Sequence, residues 1–232
     1  MRGFIFWKGP SPIDRAPLVA IATLKSENDK TGDMIQTWIL RQDMHPVEAR
    51  QTGADRSICG DCSIKADCYV DWGKAPTSIW HAFRRDSYVD FRRKPSVIRR
   101  LTDGREVRLG AAGDPGMLPM HAWDDLLIRA RGWTGYTHLW REPWAQPLRV
   151  LVMASVETAA DADLARAMGW RTFRVRTKAQ PLLRHEIACA NELTGRQCKD
   201  CLACDGALKP KAASVAIIVH GRGAKAFERA QA

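Results

Sequence analysis

The sequence lacks any apolar run approaching the roughly 20 residues that a membrane-spanning helix needs. Its longest, Val215-Ala216-Ile217-Ile218-Val219, has the length of a strand. It lacks an export signal as well. Phe4-Ile5-Phe6-Trp7 is too short for the apolar core of a signal peptide, and Lys8 and Pro10 end it. Internal repeats and low-complexity tracts are missing. These absences exclude a membrane span and a secreted chain, and the expected location is the cytoplasm. An even cysteine count is missing too. Seven cysteines without an export signal argue against a disulfide framework.

What is present is ordinary globular composition. The 232 residues are 45% hydrophobic and 27% charged, which excludes a disordered chain and suffices for one large domain or two small ones. Lys and Arg exceed Asp and Glu to give a net charge of +10. Such a balance is compatible with a polyanionic partner, a nucleotide or nucleic acid, and equally with a solvated basic surface. Residues 74–100 hold eight Lys or Arg against Asp86 and Asp90, a net of +6. Of these, Arg84, Arg85, Arg92, Arg93, Lys94, Arg99 and Arg100 are expected to form a positive surface near the substrate pocket.

The chain order suggests an α/β fold. Residues 1–33 read as an irregular N-terminal segment, with residues 1–16 rich in Gly and Pro and a short strand at Leu18–Leu24. Residues 34–220 read as the α/β domain, and 221–232 as a basic, helical tail. Strands are expected at Met34–Leu40, Val107–Gly110, Tyr136–Trp140, Arg149–Ala154, Arg171–Val175 and Ser214–Val219. Pro76, Pro95 and Pro119 each open a helix, the last running to Ala130 with Trp123, Leu126 and Leu127 at helical spacing. Another helix begins at Thr158 or Ala159 and ends at Gly169. Residues 41–75 show little periodicity and read as a loop shaped by ligands. Alternating strands and helices imply a mostly parallel sheet, with function at the carboxyl ends of its strands.

The cysteines fall into two groups. Cys189, Cys198, Cys201 and Cys204 supply four thiolates. Their C-x2-C-x2-C part suits a four-iron cubane cluster, whereas structural zinc more often pairs two C-x2-C knuckles. Cys59, Cys62 and Cys68 supply only three. Three ligands on a four-iron cluster leave one iron open to a small molecule. The alternative is zinc completed by a histidine, His45 or His81.

Leu109-Gly110-Ala111-Ala112-Gly113-Asp114-Pro115 ends a strand and precedes a helix. Its glycines allow close backbone approach, and its acid either receives an ammonium group or caps the helix. Three cysteines in a loop after an early strand, followed by Gly113-Asp114-Pro115 after the next, resemble the radical S-adenosylmethionine enzymes. That family has a partial (β/α) barrel. The resemblance implies a 4Fe-4S cluster on Cys59, Cys62 and Cys68, with the methionine part of the cofactor on the open iron. It implies that Gly113, Asp114 and Pro115 stand for the family's Gly-Glu-Pro turn and receive the cofactor's amino group. Ser155 and Glu157 then fall where the family often places ribose contacts, and the later four cysteines fit a second cluster. The family's usual spacing is C-x3-C-x2-C with an aromatic residue before the last cysteine. Here it is C-x2-C-x5-C, and Tyr69 follows the last. The chain also resembles uncharacterised bacteriophage proteins, which would place it in the host cytoplasm.

Two functions follow. One is an iron–sulfur enzyme that cleaves S-adenosylmethionine to a 5′-deoxyadenosyl radical, draws on an electron donor and modifies a nucleotide or nucleic acid. The other is a non-catalytic nucleic-acid binder stabilised by zinc or by iron–sulfur clusters. In that case some of the nine tryptophans would serve as stacking platforms. Trp80, Trp123 and Trp170 sit at core-like positions.

Overall fold

Residues 1–16, expected to be irregular, contain the strand β1 (Gly3–Pro10). Phe4, Ile5 and Phe6 are buried there, as aromatic and β-branched residues suit a pleated, half-buried surface. β1 pairs antiparallel with β2 (Pro17–Thr23), from Gly3 opposite Thr23 to Pro10 opposite Pro17. The glycine and proline that read as breakers stand at the strand's ends. At Gly3 a Cβ would lie 2.4 Å from the Ala22 carbonyl oxygen, so the glycine lets the two backbones close. Residues 1–33 are therefore not an irregular segment. They supply two strands to the same sheet as the rest of the chain.

This computed structural model describes residues 1–208, 212–221 and 223–230. After β2 come β3 (Ile35–Arg41), α1 (Pro46–Thr52), α2 (Arg56–Cys59), α3 (Ala75–Arg84), β4 (Val89–Asp90), α4 (Pro95–Thr102) and β5 (Glu106–Ala112). Then follow α5 (Asp124–Leu127), β6 (Gly132–Thr137), β7 (Met153–Val156), α6 (Ala159–Ala167) and β8 (Thr172–Arg176). The chain ends with β9 (Glu186–Ala188), α7 (Ala190–Thr194), α8 (Cys198–Cys201), β10 (Ser214–Ile218) and α9 (Ala224–Ala230). The tail is thus helical over α9. Gln231 and Ala232 lie outside the described residues.

The protein is α/β, with one ten-stranded sheet in the order β4-β1-β2-β3-β5-β6-β7-β8-β10-β9. Only β2 runs against its neighbours, and every other pairing is parallel. The sheet is open, with β4 and β9 at its edges. No helix among the described residues is long and apolar enough to cross a membrane.

Four expected elements differ. The strand expected at Tyr136–Trp140 is β6, which begins at Gly132 and ends at Thr137. Residues 41–75 contain α1 and α2, so this segment is not wholly a loop. Arg149–Ala154 is not one strand. A 3-10 stretch covers Pro143–Val150, and β7 starts only at Met153. Val152 still donates to the Leu148 carbonyl, which keeps this apolar run coiled; short apolar runs do not separate strand from turn. The expected Pro119–Ala130 helix is broken into a 3-10 turn (Met120–Ala122) and α5, although Trp123 and Leu126 are fully buried.

The two faces of the sheet are occupied differently. On one, Val107 and Leu109 of β5 join Ile39, Trp123, Trp140 and Ala154 in the large core. On the other, Met153, Phe173, Val215 and Ile217 form a second cluster with Tyr136, Cys189, Ala203 and Cys204 packed against it. Arg108 shares this second face, since β-strand side chains alternate and its guanidinium lies 4.0 Å from the Tyr136 ring centroid.

Candidate functional site

The first cysteine group is held by α2 and the loop after it. Cys59 is the last residue of α2, and Gly60 leaves the helix at a φ of 64°. A Cβ at Gly60 would meet Leu139 at 2.3 Å. The buried carboxylate of Asp55 fixes the loop by pairing with Arg50 at 2.9 Å and with Lys65 at 2.6 Å. Arg50 donates in turn to the Lys65 carbonyl. Buried ion pairs with several hydrogen bonds hold a loop in one geometry better than exposed ones. The Asp114 amide donates to the Ile58 carbonyl at 2.7 Å, tying α2 to the Gly-Asp-Pro turn.

Three consecutive parallel strands each deliver one ionisable residue to this place: Asp114 follows β5, His138 follows β6, and Glu157 follows β7. Asp114 Oδ1 accepts from Gly116 N at 2.8 Å and from the Thr137 hydroxyl at 2.6 Å, while Oδ2 accepts from His138 N at 2.7 Å. The acid therefore caps the 3-10 turn Pro115–Met117. It also lies beside the cysteines. Burial pushes the Cys59 thiol well up, and the negative charges of Asp114, Cys68 and Cys62 push the same way. Burial raises the Cys62 thiol to about 12, with Asp114, Cys68 and Glu157 adding to the effect. Cys59 and Cys62 thus share one electrostatic neighbourhood with Asp114 and Cys68, and Cys62 with Glu157.

Burial dominates the acids as well. It raises Asp114 to about 6 against its three hydrogen bonds, and it raises Glu157. It lowers His138 to about 4. Glu157 Oε2 accepts from the Ser63 hydroxyl at 2.6 Å, which links β7 to the cysteine loop. His138 Nδ1 stands 3.8 Å from Asp114 Oδ2, and Nε2 stands 3.7 Å from Glu157 Oε1. Both exceed hydrogen-bond range. Among the described residues, His138 Nε2 and Glu157 Oε1 are buried without a hydrogen-bond partner. Buried polar atoms normally have one, so this pair marks a place for a further group.

The remaining sequence-selected residues have structural duties here. Gly113 has a φ of 80°, and a Cβ on it would lie 2.4 Å from the Ile39 carbonyl oxygen. Its close approach is to β3. Pro115 is buried at the start of the 3-10 turn. The Ser155 carbonyl accepts from Trp140 Nε1 at 3.0 Å, and the residue lines a large cavity. His45 accepts from Val47 N and caps α1, with its ring 5.3 Å from that of His81.

The second group surrounds α8. Cys189 precedes α7, Cys198 and Cys201 begin and end α8, and Cys204 follows. Cys189 N donates to Ala216 O of β10, and Gly135 N of β6 donates to Cys204 O, which seats the group on the second sheet face. The turn before β3 clasps it from outside: Cys198 N donates to Lys30 O, and Lys199 N to Thr31 O. Burial raises Cys198, and Cys189 and Cys201 act in the same direction, while Arg108 and Lys30 oppose it. Cys204 is raised to about 12 by burial, with Arg108 opposing and the other three thiols adding. Among the described residues, no group of three or more His, Cys, Asp or Glu side chains stands ready to hold a metal ion as placed.

A cavity of about 1340 Å³ adjoins both groups. Ile64 and Tyr69 line it from the first cysteine loop, Cys198 from the second, and Arg108, His138 and Ser155 from the strands between. Of the basic stretch 74–100, Lys74 and Arg85 reach this lining. Arg92 and Arg99 are paired with Asp90 and Asp125, and Arg84 lies over the Trp80 ring. Sequence reading missed His138, Arg108 and Lys30. Their signal was position: one follows a strand end, one lies within a strand, and one sits in a turn without motif.

Comparison with protein-family models, curated proteins and solved structures yields no match for this chain.

Proposed function

We propose that this chain is an iron–sulfur enzyme of the radical S-adenosylmethionine type, built on a partial (β/α) barrel. Cys59, Cys62 and Cys68 would hold an open-site 4Fe-4S cluster, and Cys189, Cys198, Cys201 and Cys204 a second one. The observation that carries the reading is that the first cysteine loop is tied to the carboxyl ends of parallel strands, through Asp114 N to Ile58 O at 2.7 Å and the Ser63 hydroxyl to Glu157 at 2.6 Å, with His138 between the two acids. Ligand sites of parallel α/β folds gather at that end. Strands far apart in the sheet order, β3 through Trp38 and β10 through Ile217, line one cavity, which supports a sheet curved around it.

The donor set fits such a centre. Burial and neighbouring negative charge keep the Cys59, Cys62 and Cys204 thiols protonated in the bare chain. A cationic metal centre stabilises their thiolates, and soft thiolates suit iron–sulfur clusters. Three ligands leave one iron free, and the orphaned His138 Nε2 and Glu157 Oε1 lie where a bound cofactor would offer polar partners. When bound, the cluster and S-adenosylmethionine supply reductive cleavage to a 5′-deoxyadenosyl radical, with the electron coming from an external donor.

The chain's own residues would orient and shield. Asp114 holds the β5 and β6 ends together through Gly116, Thr137 and His138. This duty uses most of its acceptor capacity, so it acts on the cofactor's amino group mainly as a nearby charge. Glu157, fixed by Ser63, keeps Oε1 free for a hydroxyl or ammonium donor. His138, neutral at physiological pH because of burial, can accept at Nε2. Trp140 and Leu139, which follow His138, are buried.

The test is an anaerobic assay for 5′-deoxyadenosine with S-adenosylmethionine and a chemical reductant. Product that disappears in Cys62→Ser supports the reading. A brown, iron-loaded protein that forms none contradicts the enzyme and leaves the cluster-stabilised binder.

A further inference from the structure

Arg108 differs from the other deeply buried arginines. Arg171 is matched by Asp205 at 2.7 Å, and Arg174 by Glu186 at 2.7 Å. Arg108 is 4% exposed, and among the described residues no ion pair joins it to a carboxylate. Its neighbours are the Tyr136 ring, the Thr134 hydroxyl at 3.5 Å, and the Tyr69 hydroxyl and Cys198 thiol close by. The Tyr136 ring is stacked on its other side by Phe173, with centroids 4.1 Å apart, so the guanidinium rests on a fixed platform. A buried charge is costly unless it is paired. Arg108 lines the cavity, so donors not turned toward the second cysteine group can meet an anion there.

The cavity is built for an anion more widely. Six Lys and Arg line it against three Asp and Glu. Lys30 Nζ lies 2.6 Å from His220 Nε2, and both line the same wall. Tyr69, 54% exposed, lines the same cavity, with its hydroxyl by the guanidinium. At about 1340 Å³ the space exceeds the roughly 300–1,000 Å³ of a usual small-ligand pocket, so a substrate can stand beside a cofactor.

We propose that Arg108 is the anchor for the phosphate of a small substrate, a nucleoside monophosphate, with its base near Tyr69. A guanidinium fork matches phosphate oxygens in geometry as well as charge. Depth selects a small molecule over a polymer, because a terminal phosphate reaches a buried arginine that a continuous backbone does not. The role as substrate anchor rests on the enzyme reading above. The binding itself does not.

The experiment is calorimetric titration of the anaerobically purified full chain with guanosine 5′-monophosphate and with guanosine. A guanine nucleotide avoids competition for an adenosine-binding cofactor site. The phosphate should tighten binding roughly tenfold to a hundredfold, the range of charge-assisted hydrogen bonds. Arg108→Gln should erase that preference, and Arg108→Lys should restore part of it. Equal binding of the two ligands by the native protein, or none, overturns the proposal even if the variants misfold. A preference that survives in Arg108→Gln also overturns it, and accompanying iron loss would make Arg108 the counter-charge of the second cysteine group. Tighter, steeply salt-dependent binding of a single-stranded oligonucleotide overturns it in favour of nucleic acid. An iron-free protein that still prefers the monophosphate keeps the subsite and removes the cluster.

Discussion

The two cysteine groups sit in opposite electrostatic surroundings. Asp114 and Glu157 stand by the first, while Arg108 and Lys30 stand by the second. Four thiolates on a metal centre carry excess negative charge, and two cations beside them suit a closed, fully ligated centre. Three thiolates beside two acids suit the reverse. On the proposed reading they would suit a centre with an open position and a ligand that brings positive charge, such as a sulfonium or an ammonium group. The difference teaches that a bare count of cysteines says less than the charges set around them. Cluster potential also depends on net charge nearby, so the first centre should be harder to reduce than the second.

The largest expected effect breaks the comparison outright. Cys62→Ser should lower 5′-deoxyadenosine formation by about a thousandfold or more, the consequence of losing a cluster that supplies the chemistry. Cys201→Ser should leave that formation measurable with S-adenosylmethionine alone. Product assays on both variants check this. Equal loss in both would mean that the two groups form one functional unit.

Asp114→Asn comes next. An asparagine keeps one oxygen for Gly116 and Thr137 but turns its amide N–H toward the His138 N–H. Leaving that donor unpaired should cost about 1–3 kcal/mol. In a chain of this size Tm should fall by roughly 2–12 °C. Thermal unfolding checks the stability, and cofactor binding to the variant checks the nearby-charge role. A variant of native stability with native binding would remove Asp114 from both.

The sequence made part of this legible. Continuous apolar runs such as Ser214–Val219 marked parallel strands, since strands buried on both faces lose polar alternation. Gly113-Asp114-Pro115 stood out through its residue types, but its glycine serves backbone packing on Ile39. Gly3–Pro10 was hidden because glycine and proline at strand ends look like breakers when the partner strand is unknown. His138 and Arg108 carry no motif. Their significance comes from neighbours such as Glu157 and Tyr136, which only folding brings together.

A substitution at Gly113 sharpens the packing side of the account. Gly113→Ala meets both a φ of 80° and the Ile39 carbonyl at 2.4 Å. It should cost about 2 kcal/mol or more. Denaturant unfolding checks this. A neutral effect would show that β3 and the turn after β5 have room to separate.

The smallest effect is in the pH dependence of stability. Asp114 is raised from 3.8 to about 6, so stability falls as pH rises from about 4 to about 6. Glu157 is raised and has the same sign. His138 is lowered from 6.5 to about 4, so its contribution is complete above 6.5 and is lost as pH falls toward 4. The opposing slopes largely cancel in the native chain. Cys59 and Cys62 are raised and titrate above this window. His138→Gln removes the rising limb, so its Tm should fall more steeply than the native Tm between pH 4.5 and 6.5. Parallel Tm curves would contradict the opposition.

The most direct measurement is iron and acid-labile sulfide per chain, with visible absorption, on anaerobically purified native protein and on the Cys59→Ser/Cys62→Ser/Cys68→Ser variant. Two four-iron centres give roughly eight irons and a brown colour with absorption near about 400 nm, and the variant should retain roughly four. A colourless native protein containing zinc, or a variant with its full native iron, would contradict the account.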